Sequence, residues 1–91
     1  MSQVDISVEG TPNPNAAKFV VRGASLGAGS RSYFGADEAS DDELAASLFE
    51  VKGVRALLIV DNFITVTKAD AVTWPDIVED ITCIIEEALG S

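Results

Sequence analysis

The sequence predicts an α+β fold: a two-layer domain with a mainly antiparallel four-stranded sheet and two helices packed on one face, in the order β-β-α-β-β-α. A fifth, short edge strand is an optional addition. Three observations carry this reading. Apolar and polar residues alternate with a period of two in two N-terminal runs, two further strand-like runs flank a two-residue turn, and the C-terminal segment repeats its apolar residues at spacings of three and four.

Val4, Ile6 and Val8 alternate with Asp5, Ser7 and Glu9, which predicts a half-buried first strand ending at Gly10. Thr11-Pro12-Asn13-Pro14-Asn15 follows. Its prolines fix their own φ near −65° and push Thr11 and Asn13 out of the helical region, giving a stiff extended loop that the short polar side chains can tie to nearby backbone. Ala17, Phe19 and Val21 then alternate with Lys18, Val20 and Arg22, a second strand expected to return antiparallel to the first. Residues 23–36 hold glycine at 23, 27, 29 and 35 and read as a loop, within which Arg31-Ser32-Tyr33-Phe34 suits the short edge strand.

Ser40 followed by Glu43 has the spacing of a capping box, so the first helix is expected to start there, with Leu44, Leu48, Phe49 and Val51 as its apolar stripe and Lys52-Gly53 as its stop. Residues 54–60 and 63–68 flank Asp61-Asn62, a pair that tolerates the positive φ of a tight hairpin turn. That turn sets Ile59 opposite Ile64 and Leu57 opposite Val66 on the core face. Leu58, Val60 and Phe63 fall on the other face, which is either covered by the terminal strand or by the Tyr33-Phe34 segment, or open as a protein-contact patch. Thr73 and Asp76 predict the start of the last helix, with Pro75 in its first turn and Trp74, Ile77, Val78, Ile81, Ile84, Ile85, Ala88 and Leu89 as its buried stripe.

At 91 residues the chain is one domain, spanning 1–91, and folding at that size buries about 60 to 65% of the surface that the unfolded chain exposes. Fifteen acidic residues against six basic give a net charge of −9, the wrong sign for a nucleic-acid backbone or an anionic membrane surface. The start has no basic and then apolar leader, and no run approaches the roughly 18 apolar residues of a spanning helix. The expected location is the cytoplasm. A single cysteine cannot form an internal disulfide, which suits a reducing compartment.

With no histidine, Ser-His and Cys-His nucleophile pairs are excluded, and one thiol cannot build a tetrathiolate metal site. No catalytic residue and no metal ligand is assigned. Cys83 falls on the helix side opposite Ile81 and Ile85, among carboxylates that disfavour its thiolate. It reads as an incidental surface thiol, with a cluster ligand shared between chains as the lesser alternative. Gly27-Ala28-Gly29-Ser30-Arg31-Ser32 lacks the Gly-Lys-Ser/Thr ending of a phosphate loop, and the Asp37 to Glu43 acids match no calcium-loop spacing. The proline loop itself reads either as a scaffold turn or as a recognition surface.

Thr11-Pro12-Asn13-Pro14-Asn15 with Lys18-Phe19, Leu48-Phe49-Glu50-Val51-Lys52-Gly53-Val54, Phe63-Ile64-Thr65-Val66-Thr67-Lys68 and Trp74 together resemble the N-terminal domain of Nfu-type (NifU-like) iron-sulfur scaffold proteins. The likeness spans nearly the whole chain. Asn62 stands where that family usually has aspartate, and Asp41-Asp42-Glu43 replaces a customary Ser-Pro-Leu. The resemblance implies the same α+β fold and a link to iron-sulfur cluster assembly or delivery. In full-length members the cluster sits on a separate C-terminal Cys-x-x-Cys domain, and this chain reaches Ser91 without that motif, so a stand-alone N-terminal domain is expected.

The expected function is therefore a non-catalytic accessory domain that recognises a protein of that pathway, a Cys-x-x-Cys scaffold or an apo-client. No cofactor is expected on this chain alone, and an iron-sulfur cluster is involved only through the partner. Thr11, Asn13, Asn15, Lys18, Phe63 and Lys68 are the partner-binding candidates. A monomer is expected, with no nucleic acid and no membrane. The alternative is a generic interaction or oligomerisation module outside iron-sulfur biology.

Overall fold

The computed structural model describes residues 5–23, 26 and 29–90. Val4, Gly27 and Ala28, on which parts of the first strand and the glycine-rich motif were read, lie outside the described residues. Five strands and two helices follow in order: β1 (Asp5–Gly10), β2 (Ala16–Arg22), β3 (Arg31–Tyr33), α1 (Glu43–Phe49), β4 (Val54–Val60), β5 (Phe63–Lys68) and α2 (Trp74–Gly90). The optional edge strand is present as β3, and Phe34 beyond it is exposed.

The sheet runs β1-β2-β5-β4-β3 and every neighbouring pair is antiparallel. The β4–β5 register is the one that the sequence predicts, with Ile59 opposite Ile64 and Leu57 opposite Val66. A register shift between Val54 and Ala56 makes Arg55 the extra residue. Val54 and Leu57 are three apart, so without that bulge they would face opposite sides; with it both are buried.

Phe19, Val21, Leu57, Ile59, Ile64 and Val66 form the inner face of the sheet and pack against Ala45 and Leu48 of α1 and Ile77, Ile81 and Ile85 of α2. At about 2 kcal/mol per fully buried isoleucine, the three on α2 account for much of what holds this helix on the sheet. In α1 the deepest residues are Ala45 and Leu48, while Leu44 and Phe49 are only half-buried. Gly53 ends the turn after α1 at φ 97°, where a side chain would be strained.

Three local expectations are corrected. The N-cap of α1 is Asp42, whose carboxylate accepts from the Ala45 N–H at 3.2 Å, and not Ser40. An aspartate one residue before the helix reaches its free N–H groups directly, which leaves no role for the earlier serine. At α2 the Thr73 hydroxyl donates to Asp76 Oδ2 at 2.9 Å, so the two predicted cap side chains bond to each other. The Asp61-Asn62 turn closes without positive φ. Its carbonyls accept from Val21 N–H (onto Asn62) and Leu26 N–H (onto Asp61), each at 2.8 Å, and these tertiary bonds set its shape where local propensity alone would favour a left-handed pair.

Candidate functional site

The proline loop is locked from within. Each Pro-Asn step is closed by the side chain that precedes it: Asn13 N–H donates to Thr11 Oγ1 at 3.1 Å, and Asn15 N–H donates to Asn13 Oδ1 at 2.9 Å. These are the side-chain-closed turns that threonine and asparagine favour. The Thr11 hydroxyl also lies 2.9 Å from both the Asn13 and Ala16 carbonyl oxygens, which share its one proton.

The loop is then fixed to the far end of the chain. Lys68 Nζ donates to Asn15 Oδ1 at 2.9 Å and to the Ala69 carbonyl at 3.3 Å, Asn15 Nδ2 donates to Asp70 Oδ1, and the Trp74 indole N–H donates to the Pro14 carbonyl at 3.0 Å. Lys68 is only 8% exposed and its ammonium lies 5.7 Å from the Trp74 ring centre. A buried ammonium is tolerable because the amide oxygen, the carbonyl and the indole face stand in for the water it has lost. Phe19 supports the indole from below, with ring centres 6.2 Å apart and planes tilted by 56°.

The six candidates thus divide between two places. Thr11, Asn13, Asn15 and Lys68 meet in this corner, on the side of the sheet that carries the helices. Lys18 and Phe63 meet on the opposite face, where the Lys18 ammonium sits 4.3 Å from the Phe63 ring centre. Strand alternation is the cause: Ile64, Val66 and Lys68 share the inner face of β5, and Phe63, Thr65 and Thr67 share the outer one.

That outer face is uncovered among the described residues. Val20, Leu58, Val60 and Phe63 form its apolar centre, each half-buried by its neighbours alone, with Lys18 and Arg22 of β2 beside them. Covering by the terminal strand or by the Tyr33-Phe34 segment, one of the two readings of this face, does not occur, because β1 extends the sheet beside β2, β3 extends it beside β4, and Phe34 is 74% exposed. The signal for the patch was Val20, an apolar residue at an outward position between Lys18 and Arg22.

Sequence reasoning missed Asp42 as a junction. Beyond capping α1, its Oδ2 accepts from Arg31 Nη1 at 2.7 Å and from the Tyr33 hydroxyl at 3.0 Å, tying β3 to the helix. Arg31 also donates to the Leu26 carbonyl at 2.6 Å, so the arginine of the glycine-rich motif is committed within the chain. Burial, with the carboxylate beside it, holds the Tyr33 phenol above the ordinary tyrosine value. Cys83 is exposed, as expected. Among the described residues no three histidine, cysteine, aspartate or glutamate side chains are grouped to hold a metal, and no helix is long and apolar enough to cross a membrane.

The family described as scaffold protein Nfu/NifU N terminal matches residues 6–91. The chain is 33% identical over 87 residues to the "NFU1 iron-sulfur cluster scaffold homolog, mitochondrial" of Drosophila persimilis and 30% identical over 86 residues to "NifU-like protein 5, mitochondrial" of Arabidopsis thaliana. Each match covers 94% of this chain but 31% of the relative, so the chain spans about a third of the length of those proteins. Among solved structures, it resembles a NifU-like protein from Saccharomyces cerevisiae, with a TM-score of 0.81 and 30% identity over 92% of this chain and 76% of that one. Staphylococcus aureus protein SAV1430 superposes with a TM-score of 0.75 at 27% identity, over 89% and 98% of the two chains. Sequence motifs, sheet order and these likenesses agree, and the chain belongs to the Nfu/NifU N-terminal domain family of scaffold proteins.

Proposed function

We propose that this domain is a non-catalytic accessory module of iron-sulfur cluster assembly or delivery, acting as a monomer that recognises a protein of the pathway and holds no cluster of its own. The observation that carries this reading is the open apolar sheet face centred on Phe63 with Lys18 above its ring, in a chain whose relatives are named as iron-sulfur scaffolds. Half-buried apolar residues beside two cations suit a partner surface with an apolar centre and an acidic rim. A Cys-x-x-Cys scaffold or an apo-client is the proposed partner, and the cluster is the cargo that passes between such proteins.

The proline corner has a different part in this reading. Asn15 and Lys68 use their polar groups on each other, so they fix the shape of the loop, and the exposed Pro12, Asn13 and Pro14 are what a partner meets. The proposed compartment is the cytoplasm, where a chain with one cysteine has no internal disulfide to lose.

Isotope-labelled domain titrated with a Cys-x-x-Cys scaffold protein, apo and cluster-loaded, tests the proposal. Saturable shifts at Lys18, Val20, Leu58 and Phe63, weakened about tenfold or more by Phe63→Ser, are expected, since aromatic anchors dominate such contacts. No saturable shift with either form would sink it. Anaerobic reconstitution with iron and sulfide should leave the chain alone colourless, and a stable chromophore would overturn the claim that it holds no cluster.

The same face also suits self-association outside that pathway. A mass in light scattering that rises with concentration, and returns to the monomer in Phe63→Ser, would favour that second reading.

A further inference from the structure

The β1 edge of the sheet is open. Among the described residues β1 pairs only with β2, and in an antiparallel strand every second residue turns both its N–H and its C=O to the free side. The opposite edge, β3, is three residues long, whereas β1 has six and contains neither proline nor bulge. Edges of that kind pair readily with another strand.

A groove of about 310 Å³ lies against this edge on the helix side, bounded by Val8, Gly10, Pro14, Ala17, Trp74 and Val78. Val8 is 45% exposed there, although alternation places it on the inner face with Ile6, which packs against the core. At Gly10 an added Cβ would meet no atom within 4 Å, so the groove is open down to the backbone. On the other face of the same strand stand Asp5 and Glu9.

We propose that β1 is a docking edge for an extended, basic segment of another polypeptide. The segment adds as a sixth strand, sets alternate apolar side chains into the groove between Val8 and Trp74, and presents lysine or arginine between them to Asp5 and Glu9. The free backbone groups require an extended partner, and the period of two dictates the alternation. Asp5 and Glu9 stand between the free edge and their cross-strand neighbours Arg22 and Lys18, so lysines of an added strand would flank each acid with a second cation, on a chain of net charge −9. A second copy of this chain is the wrong chemistry: any register that keeps the two apolar faces together gathers Asp5 and Glu9 of both copies on one face, between molecules of charge −9. The groove lies on the face opposite Phe63, although Asp5 and Glu9 share the outer face with it, and the proposal stands or falls without reference to the iron-sulfur reading.

The probe is a six-residue peptide alternating lysine with valine, titrated into the labelled full chain. Saturable shifts confined to β1, the proline loop and the Trp74 indole are expected, together with slowed amide exchange in β1. Affinity should fall about tenfold or more for Val8→Lys, and as much for a peptide whose central valine is proline, which lacks the N–H that the edge must receive. Val8 is exposed enough for its variant to fold, and the proline peptide makes the test independent of any variant. Shifts centred on Phe63 and Leu58, or on α1 or α2 beyond Val78, equal binding of the proline peptide or of a glutamate-valine peptide, or β1 pairing between copies without peptide would each overturn the proposal.

Discussion

Asp42 serves three donors with two oxygens, and Tyr33 is the one that can be followed alone, since it is the only tyrosine in the chain. Folding holds its phenolic proton more firmly than the unfolded chain does. The resulting stability is full below the ordinary value of 10.0 and is lost as pH rises through the higher folded value. Phenolate absorbance should therefore rise later in folded than in denatured protein. Asp42→Asn, which keeps an acceptor but removes the charge, should bring the two curves closer, leaving the part due to burial, and cost about 1–2 kcal/mol in denaturant unfolding through the weaker cap and the lost ion pair. An unchanged phenol titration in the variant would show that Asp42 is not the group that acts on Tyr33. This junction was hidden in the sequence because Ser40 and Asp42 both have cap chemistry. Only the fold shows that β3 brings Arg31 and Tyr33 to the second of them.

The turn between α1 and β4 depends on Gly53 twice over. Its φ of 97° disfavours any side chain, and a Cβ there would lie 2.6 Å from Val72 Cγ2. Val72 is β-branched and moves little about χ1, so the contact cannot be relieved cheaply. Gly53→Ala should cost about 2 kcal/mol or more in denaturant unfolding, the strain of a left-handed alanine plus the clash. A loss below half that figure would mean the turn adapts. Elements of this kind were largely legible. Lys52-Gly53 announced the stop, alternation gave the β4–β5 register, and the spacing of Ile77, Ile81 and Ile85 gave the buried side of α2. Strand parity also held the clue that Lys68 parts from Lys18 and Phe63, since it continues the inward series of Ile64 and Val66. What could not be read was tertiary: the bulge at Arg55, and the Val21 and Leu26 amides that shape the Asp61-Asn62 turn.

Across the whole molecule the charge is segregated by layer. Residues 32–51 and 69–91, which contain both helices, carry twelve of the fifteen acidic residues and none of the six basic ones. Crowding like charges on one side destabilises the folded state, and salt relieves it over a screening length of about 10 Å at 0.1 M. Raising sodium chloride from low to physiological levels should add about 1 kcal/mol, seen as a melting temperature higher by roughly 4–8 °C. A fall in melting temperature would mean that attractive pairs outweigh this repulsion. The sheet order has a consequence at the same scale. The N-terminal hairpin is completed only by β5, so β2 lies beside a strand made more than forty residues later, and Trp74 closes onto Pro14 later still. While the ribosome is still at work, Phe19 and Val21 have nothing to pack against, and contacts so distant along the chain form slowly. Folding of this domain is therefore an event that follows translation through β5 and α2, and until then the nascent N-terminal hairpin is the segment most in need of a chaperone.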